Sequence, residues 1–294
     1  YAAYRADPNI LIGLGDRVSL LIVDEAHQAI APTYAHCIKL LFGKNPDSLL
    51  VGLTATPGRT WDDPEQDAEL SSFFGGRKVG LRIEGYTDPV SYLLEEGYLA
   101  VPSFRKLELA HPESDYIYEE ITSNEEGDYC QDELDRLAAD VSRNEQIVKA
   151  VISLTGRHKR ILVFAPSVKS AEDLATTLNV FGVLALAITG ETPKAKRDRL
   201  IKKFRSKFDQ TIVMFNFGVL TTGFDAPQIS AAVIARPTKS LVLYSQMVGR
   251  ATRGPKANGN ERAEIVTVVD PGLPGFGNMV EAFHNWEDVW KEID

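Results

Sequence analysis

The sequence lacks any uninterrupted apolar run of about eighteen residues, so no ordinary helical membrane span is expected. Its first residues, Tyr1-Ala2-Ala3-Tyr4-Arg5, have neither the long apolar region nor the cleavage pattern of a secretory signal. Cysteine is scarce. Cys37 and Cys130 form no CxxC pair and share no metal-like spacing with the five histidines. That excludes a disulfide scaffold and argues against a structural zinc site. A single disulfide between them stays open, with free thiols in a reducing cytoplasm the expected state. There is no initiator Met, which suggests a chain that begins inside a longer polypeptide. No short-period repeat and no low-complexity tract occurs. These absences point to a cytoplasmic, globular chain with no membrane partner.

What is present suits that class. The 294 residues are 44% apolar and 25% charged. At roughly 100–200 residues per domain, two domains are expected. The formal charge of −9 looks wrong for a polyanion binder, but its distribution matters more than its sum. Of the 41 acidic residues, ten lie between His111 and Asp135, where no Lys or Arg occurs; the other 31 nearly match the 32 bases. Such a segment reads as an exposed loop or linker. Bases cluster elsewhere, at Arg157 to Arg160 and over Lys194 to Lys207. The second cluster could follow phosphates or be a solvated helix face.

Apolar patterning suggests the order of elements. Val18–Val23 and Leu49–Leu53 read as short buried strands. A helix over Gln28–Phe42, interrupted near Pro32, lies between them. Asp88–Glu96 reads as a helix with Asp88 as N-cap and Pro89 at the first position, ended by Gly97. Val101–Leu109 is strand-like or extended. A helix is expected from Asp132 to Leu154. Strands follow at 160–164, 183–188, 211–215, 230–235 and 264–269, with helices at 168–181, 193–207 and 240–249. Strands alternating with helices imply an α/β fold whose parallel sheet is covered on both faces. Ligands in such sheets bind beyond the carboxyl ends of strands.

The first strand runs into Asp24-Glu25-Ala26-His27. Mg²⁺ prefers carboxylate, water and phosphate oxygens, so Asp24 is placed to hold it through water. Glu25 is placed to polarise an attacking water. The second strand ends in Thr54-Ala55-Thr56-Pro57-Gly58, which alone reads as a turn whose hydroxyls satisfy local backbone groups. Thr221-Thr222-Gly223-Phe224-Asp225-Ala226-Pro227 lies between two expected strands, and its hydroxyls and amides could contact phosphates. Gln246, Gly249, Arg250 and Arg253 follow. The two arginines share a helix face if the helix extends that far. Near a strand's carboxyl end they would suit a polyphosphate that gains charge in its transition state. An arginine pair alone is equally a solvated helix end.

Together, in this order, these elements resemble the motifs of superfamily-two helicases. Asp24-Glu25-Ala26-His27 looks like motif II, and Thr54-Ala55-Thr56 like motif III. Ile161–Phe164 with Ala165-Pro166-Ser167 is similar to motif IV. Thr221–Pro227 resembles motif V, and Gln246 to Arg253 matches the Q-x-x-G-R-x-x-R of motif VI. The Thr-Ala-Thr-Pro sequence, and Glu95–Leu99 followed by Val101-Pro102, resemble the branch of restriction-enzyme motor subunits and bacterial repair and defence helicases. The resemblance implies two RecA-like parallel-sheet domains, the first truncated at its N-terminus. Residues 1–96 would be the end of the first domain, 97–135 a connector with the acidic loop, and 136–294 the second domain with a terminal helix. It implies ATP and Mg²⁺ as cofactors, with Asp24 on the metal, Glu25 on the water, and Arg250 and Arg253 on the terminal phosphate. Gly223, Asp225, Gln246 and Gly249 would face the nucleotide. His27, Thr54 and Thr56 would couple it to nucleic acid, which Thr221, Thr222 and Ser167 would touch. DNA is expected ahead of RNA as the track.

One departure is large. No G-x-x-x-x-G-K-[ST] phosphate loop occurs, and only 23 residues precede Asp24. The resemblance then implies a fragment whose N-terminal part is a missing partner. Two other functions stay open: a motor subunit of a restriction or phage-defence nuclease, and a non-hydrolysing nucleic-acid-binding scaffold. At the C-terminus Met279, Phe283, Trp286 and Trp290 form one helical stripe, expected to dock on the protein's own core.

Overall fold

The computed structural model describes residues 8–43, 45–54, 64–80, 82–86, 88–109, 128–206, 209–220, 225–270 and 273, and the backbone of 291–292. Thr56, Thr221, Thr222, Gly223 and the stripe from Met279 to Trp290 lie outside these residues, as does most of the acidic segment. The chain divides into two compact units, Tyr1–Leu81 with Met279–Asp294, and Arg82–Asn278.

The first unit holds α1 (Pro8–Gly15), β1 (Leu20–Asp24), α2 (Pro32–Leu41), β2 (Leu49–Leu53), α3 (Pro64–Phe73) and β3 (Arg77–Lys78). β1 and β2 pair in parallel, with Leu20 opposite Leu49 and Asp24 opposite Leu53. Pro32 sits in the first turn of α2, where its missing N–H is not needed. Ala29, Ile30, Ile38 and Leu70 form a small core, against which Leu21, Val23, Leu50 and Phe74 pack. Gly52 belongs to this face, and a Cβ there would lie 2.8 Å from Ala26 Cβ and from the Phe74 ring. The expectation of fully buried strands is corrected here. Side chains alternate across a strand, and Leu20, Ile22, Leu49, Val51 and Leu53 are 40–65% exposed.

The second unit contains α4 (Pro89–Glu95), β4 (Val101–Glu108), α5 (Gln131–Ala139), α6 (Val141–Thr155), β5 (Arg160–Phe164), α7 (Val168–Val180), β6 (Ala185–Thr189), α8 (Lys194–Phe204), β7 (Ile212–Phe217), β8 (Ala231–Ile234), α9 (Leu241–Gly249) and β9 (Arg262–Val269). Its sheet has six strands in the order β4-β9-β8-β5-β7-β6. Every pairing in it is parallel. Ile161, Val163, Val213, Phe215, Val233 and Val266 pack with Ile147 and Val151 of α6 and Leu174 and Leu178 of α7. On the opposite face Leu162, Met214, Ala232 and Ile234 are buried as well. Burial on both faces is what a parallel sheet requires.

Three expectations change. The helix expected from 132 to 154 is two helices, because Asp140 leaves helical geometry at ψ 110° and its side chain accepts the Arg143 N–H as the N-cap of α6. Val101–Glu108, placed in the connector by sequence, is the edge strand β4, paired with β9 over its whole length. The chain end, expected within the second domain, runs back to the first unit: β10 (Lys291–Glu292) pairs in parallel with β3.

Two buried arginines lock the second unit. Arg143 on α6 reaches both oxygens of Asp270, just past β9, with Nε 2.7 Å and Nη2 3.0 Å away, and also donates to the Ala235 carbonyl. Arg160 at the start of β5 donates to the carbonyl of Phe204, the last residue of α8, and to those of Ser206 and Gln210 beyond it. Burial lowers its pKa from the usual arginine range.

Candidate active site

The candidate residues fall into two groups, one in each unit. In the first, β1 delivers Asp24 to its carboxyl end and the chain turns at once. Glu25 takes φ 51° and ψ 48°, the left-handed region that a β-carbon disfavours. Its N–H donates to Asp24 Oδ1 at 2.9 Å, within the turn. A single 3-10 turn, Ala26–Gln28, follows and buries Ala26 and His27. This kink leaves Asp24 exposed and Glu25 half-exposed, while the histidine points inward. His27 Nδ1 lies 3.1 Å from Thr54 Oγ1, across 27 residues of sequence, and 3.4 Å from Glu25 Oε2. A buried imidazole thus joins the carboxylate turn after β1 to the hydroxyl turn after β2. The parallel pairing of β1 and β2 places those two turns side by side.

Hard carboxylate oxygens at Asp24 and Glu25 are the donor type Mg²⁺ accepts, and one or two carboxylates suffice because the ion keeps its waters. Among the described residues no group of three or more His, Cys, Asp or Glu could enclose a metal ion. Neither cysteine is in a disulfide.

In the second unit, α9 presents Gln246, Gly249 and Arg250 at i, i+3 and i+4, which is one face. The opposite face buries Leu241, Tyr244, Met247 and Val248. α9 stops at Gly249, with Arg250 as its C-cap in helical geometry. Arg253 is therefore beyond the helix, paired as an isolated bridge with Leu99. Leu99 and Arg253 precede β4 and β9, so the arginine turn lies at the amino edge of the sheet, not at a carboxyl end. Parallel connectivity requires this, since the helix after β8 must carry the chain back to where β9 begins. Arg253 Nε lies 3.9 Å from Asp225 Oδ1, with side chains 43% and 71% exposed, so both remain accessible.

Ser167 is at the carboxyl end of β5, but it is buried and its hydroxyl accepts the Ser170 N–H as the N-cap of α7. Its direct role is thus to start a helix. Beside it a groove of about 750 Å³ runs past Gln131, Asn144, Lys169, Ser170 and Phe217. The sequence reading missed Asp128. It is buried and accepts from Arg236 Nη2 at 3.0 Å, Thr238 Oγ1 at 3.0 Å and the Lys239 N–H at 2.8 Å. It anchors the end of the acidic segment just beyond β8. Nothing local marks it, because its partners lie more than a hundred residues away.

Comparison with known proteins gives two family matches. The pattern described as "Helicase conserved C-terminal domain" matches residues 142–255, and that described as "Type III restriction enzyme, res subunit" matches residues 12–59. A 51.5 kDa protein of a Lactococcus phage is 26% identical over 93% of this chain and 53% of its own length. A candidate ATP-dependent helicase, IRC3, of Saccharomyces cerevisiae is 25% identical over 80% of this chain and 32% of its own length. The chain thus spans about half or less of these relatives. Among solved structures, a fragment of a candidate HsdR subunit of a type I restriction enzyme from Vibrio vulnificus superposes with TM-score 0.63 at 19% identity, covering 93% of this chain and 49% of that one. Helicase Lhr of Mycobacterium smegmatis gives 0.53 at 19% identity, over 97% of this chain and 35% of that one. The folds are those of RecA-like helicase domains. The matched residues and these likenesses make the chain similar to superfamily-two helicases, and within them to the Res-subunit branch.

Proposed function

We propose that this chain is the motor part of an ATP-driven nucleic-acid translocase or helicase, acting on DNA ahead of RNA. The observation that carries the reading is the turn after β1. Two adjacent carboxylates leave a strand end, the second in a strained left-handed conformation, and a buried histidine ties them to Thr54. Strain of this kind, which costs on the order of 1–3 kcal/mol, concentrates at sites of chemistry.

In this reading Glu25 accepts the proton of a water whose oxygen attacks the terminal phosphorus. The bond from that phosphorus to the bridging oxygen breaks, leaving ADP and phosphate. Asp24 would hold Mg²⁺ through water; when bound, the ion neutralises phosphate charge. Arg250 and Arg253 take up the charge that develops on the transferred phosphoryl group, a role worth about 10³–10⁵-fold for the arginine finger of GTPases. Gln246, Gly249 and Asp225 flank them. Through His27 and Thr54 the state of the carboxylate turn reaches the turn after β2, and with it Thr56. Thr221, Thr222 and Gly223 are proposed on the nucleic-acid and nucleotide sides of motif V. Ser167 acts by capping α7 beside the groove that would take the strand. The phosphate loop that completes such a site is not among these 294 residues.

A second reading has its own support. The match to the res subunit over residues 12–59, and the likeness to an HsdR fragment, favour a motor serving a restriction or defence nuclease.

The test is steady-state ATP hydrolysis by the natural full-length polypeptide with no polymer, single-stranded DNA, double-stranded DNA or RNA. Hydrolysis should rise at least tenfold with DNA and less with RNA. A rate indifferent to every polymer would remove the translocase reading, and no hydrolysis at all would leave the scaffold.

A further inference from the structure

Residues Gly97–Ala100 and Thr252–Lys256 cross backbone on backbone in the second unit. The Ala100 N–H donates to the Thr252 carbonyl at 3.0 Å, the Gly254 N–H to the Tyr98 carbonyl at 2.9 Å, and the Lys256 N–H to the Gly97 carbonyl at 2.9 Å. A Cβ built on Gly254 would lie 2.3 Å from the Gly97 oxygen and 2.6 Å from the Tyr98 carbonyl carbon. Gly254 has φ −83° and ψ 172°, which any residue adopts. Space, not conformation, demands glycine there. On its other side Arg253 is held just as closely. Its carbonyl accepts the Asn260 N–H at 2.9 Å, and a Cβ on Gly259 would lie 2.0 Å from that oxygen. The Arg253 backbone is thus gripped between two glycine contacts, while its side chain stays 43% exposed.

Side chains extend the grip. Lys256 pairs with Glu96, and its Nζ lies 5.0 Å from the centre of the Tyr98 ring. That ring stacks on Tyr92 of α4 at 6.2 Å. The hydrogen bond to the Glu96 carboxylate raises the Lys256 pKa, favouring the charged lysine. Asp88, Tyr92, Glu96 and Gly97 belong to the segment by which the chain enters the second unit.

We propose that this crossing is a positioning device for Arg253: the α4-to-Ala100 segment is the seat of the arginine turn, and turnover depends on the seat as well as on the guanidinium. The inference rests on the proposed ATPase reading. Gly254 and Lys256 are positioning residues that act through Arg253. A catalytic group works only within about 0.5 Å of its productive place. Misplacement by about 1 Å can cost ~100-fold. A methyl at Gly254 forces a shift of about that size.

The experiment measures kcat and KM for ATP in the full-length polypeptide with its stimulating polymer, alongside the thermal midpoint. Gly254→Ala should lower kcat about 100-fold and leave KM within about threefold. Gly156→Ala, where nothing lies within 4 Å of the added methyl, should turn over as wild type. Lys256→Ala should lower kcat severalfold, and Lys256→Arg should restore it. Adding Gly254→Ala to Arg253→Ala should cause no further loss, a non-additivity that a merely structural defect would not produce. Folded Gly254→Ala with wild-type kcat, or additive losses in the double variant, would overturn the proposal. If Gly254→Ala does not fold, an unchanged kcat in Lys256→Ala overturns it. An inactive wild type removes the ATPase reading itself. A wild type that loses activity with Arg253→Ala but not with Gly254→Ala removes only the positioning role.

Discussion

Glu25 keeps a backbone conformation that a glycine would hold more easily. The left-handed region costs a β-carbon about 1–2 kcal/mol, while glycine forfeits about 0.5–1 kcal/mol in chain entropy. Glu25→Gly should therefore leave stability unchanged or raise it by up to about 1 kcal/mol in urea unfolding, while hydrolysis collapses. A variant that is destabilised and still active would mean that this turn serves the fold alone. The pair of carboxylates was legible in the sequence because an apolar strand ran straight into it. The strain was not, since a left-handed glutamate leaves no mark in composition. Nor was the His27–Thr54 hydrogen bond legible from spacing, because it depends on β1 and β2 being neighbours.

Among the elements, the second sheet was the most readable. β5 runs over 160–164, the bounds expected from the apolar stretch Ile161–Phe164 with Arg160 before it. The breaks were harder. Asp140 carries the signal of an N-cap, but a continuous helical pattern on both sides hid it. β4 reads as strand-like, but its half-exposed pattern gives no place in the sheet until its partner β9 is known. The amino edge of the sheet also holds a charged cluster. Glu264 on β9 meets Arg157 Nη2 at 3.0 Å and His158 Nε2 at 3.1 Å. Its burial alone would raise its pKa, but the hydrogen bonds and charges of Arg157 and His158 outweigh that and lower it. A depressed carboxylate stabilises the fold above its unfolded pKa, about 4.3, and loses that contribution as pH falls through the folded value. Glu264→Gln should cost about 1 kcal/mol at pH 7, a figure kept small because Arg157 is largely exposed. The difference from wild type should shrink towards zero below about pH 4. A cost that is constant from pH 7 to pH 3 would rule out the charge as its source.

At the scale of the molecule, the alternation of strands and helices made the α/β class legible and the motif order the helicase resemblance; the six-stranded parallel sheet bears out the first and the matched residues the second. The location of Arg250 and Arg253 was not legible in the same way. Their residue types suit a phosphate, but their place at the amino edge follows from the path of the chain after β8, which only topology supplies. The net charge of −9 gives no guide to the track, since ten of the acids lie in one segment and the rest of the chain is near neutrality. The proposed motor needs a group that acts in the bond-breaking step and leaves binding intact. Glu25 is that group in this account, and Glu25→Gln keeps its shape while removing its basicity. The decisive measurement is polymer-stimulated ATP hydrolysis by the full-length Glu25→Gln protein, with ATP and nucleic-acid binding measured in parallel. Hydrolysis should fall by at least about 10²-fold with both affinities kept within a few fold; hydrolysis at the wild-type rate would show that Glu25 is not the base.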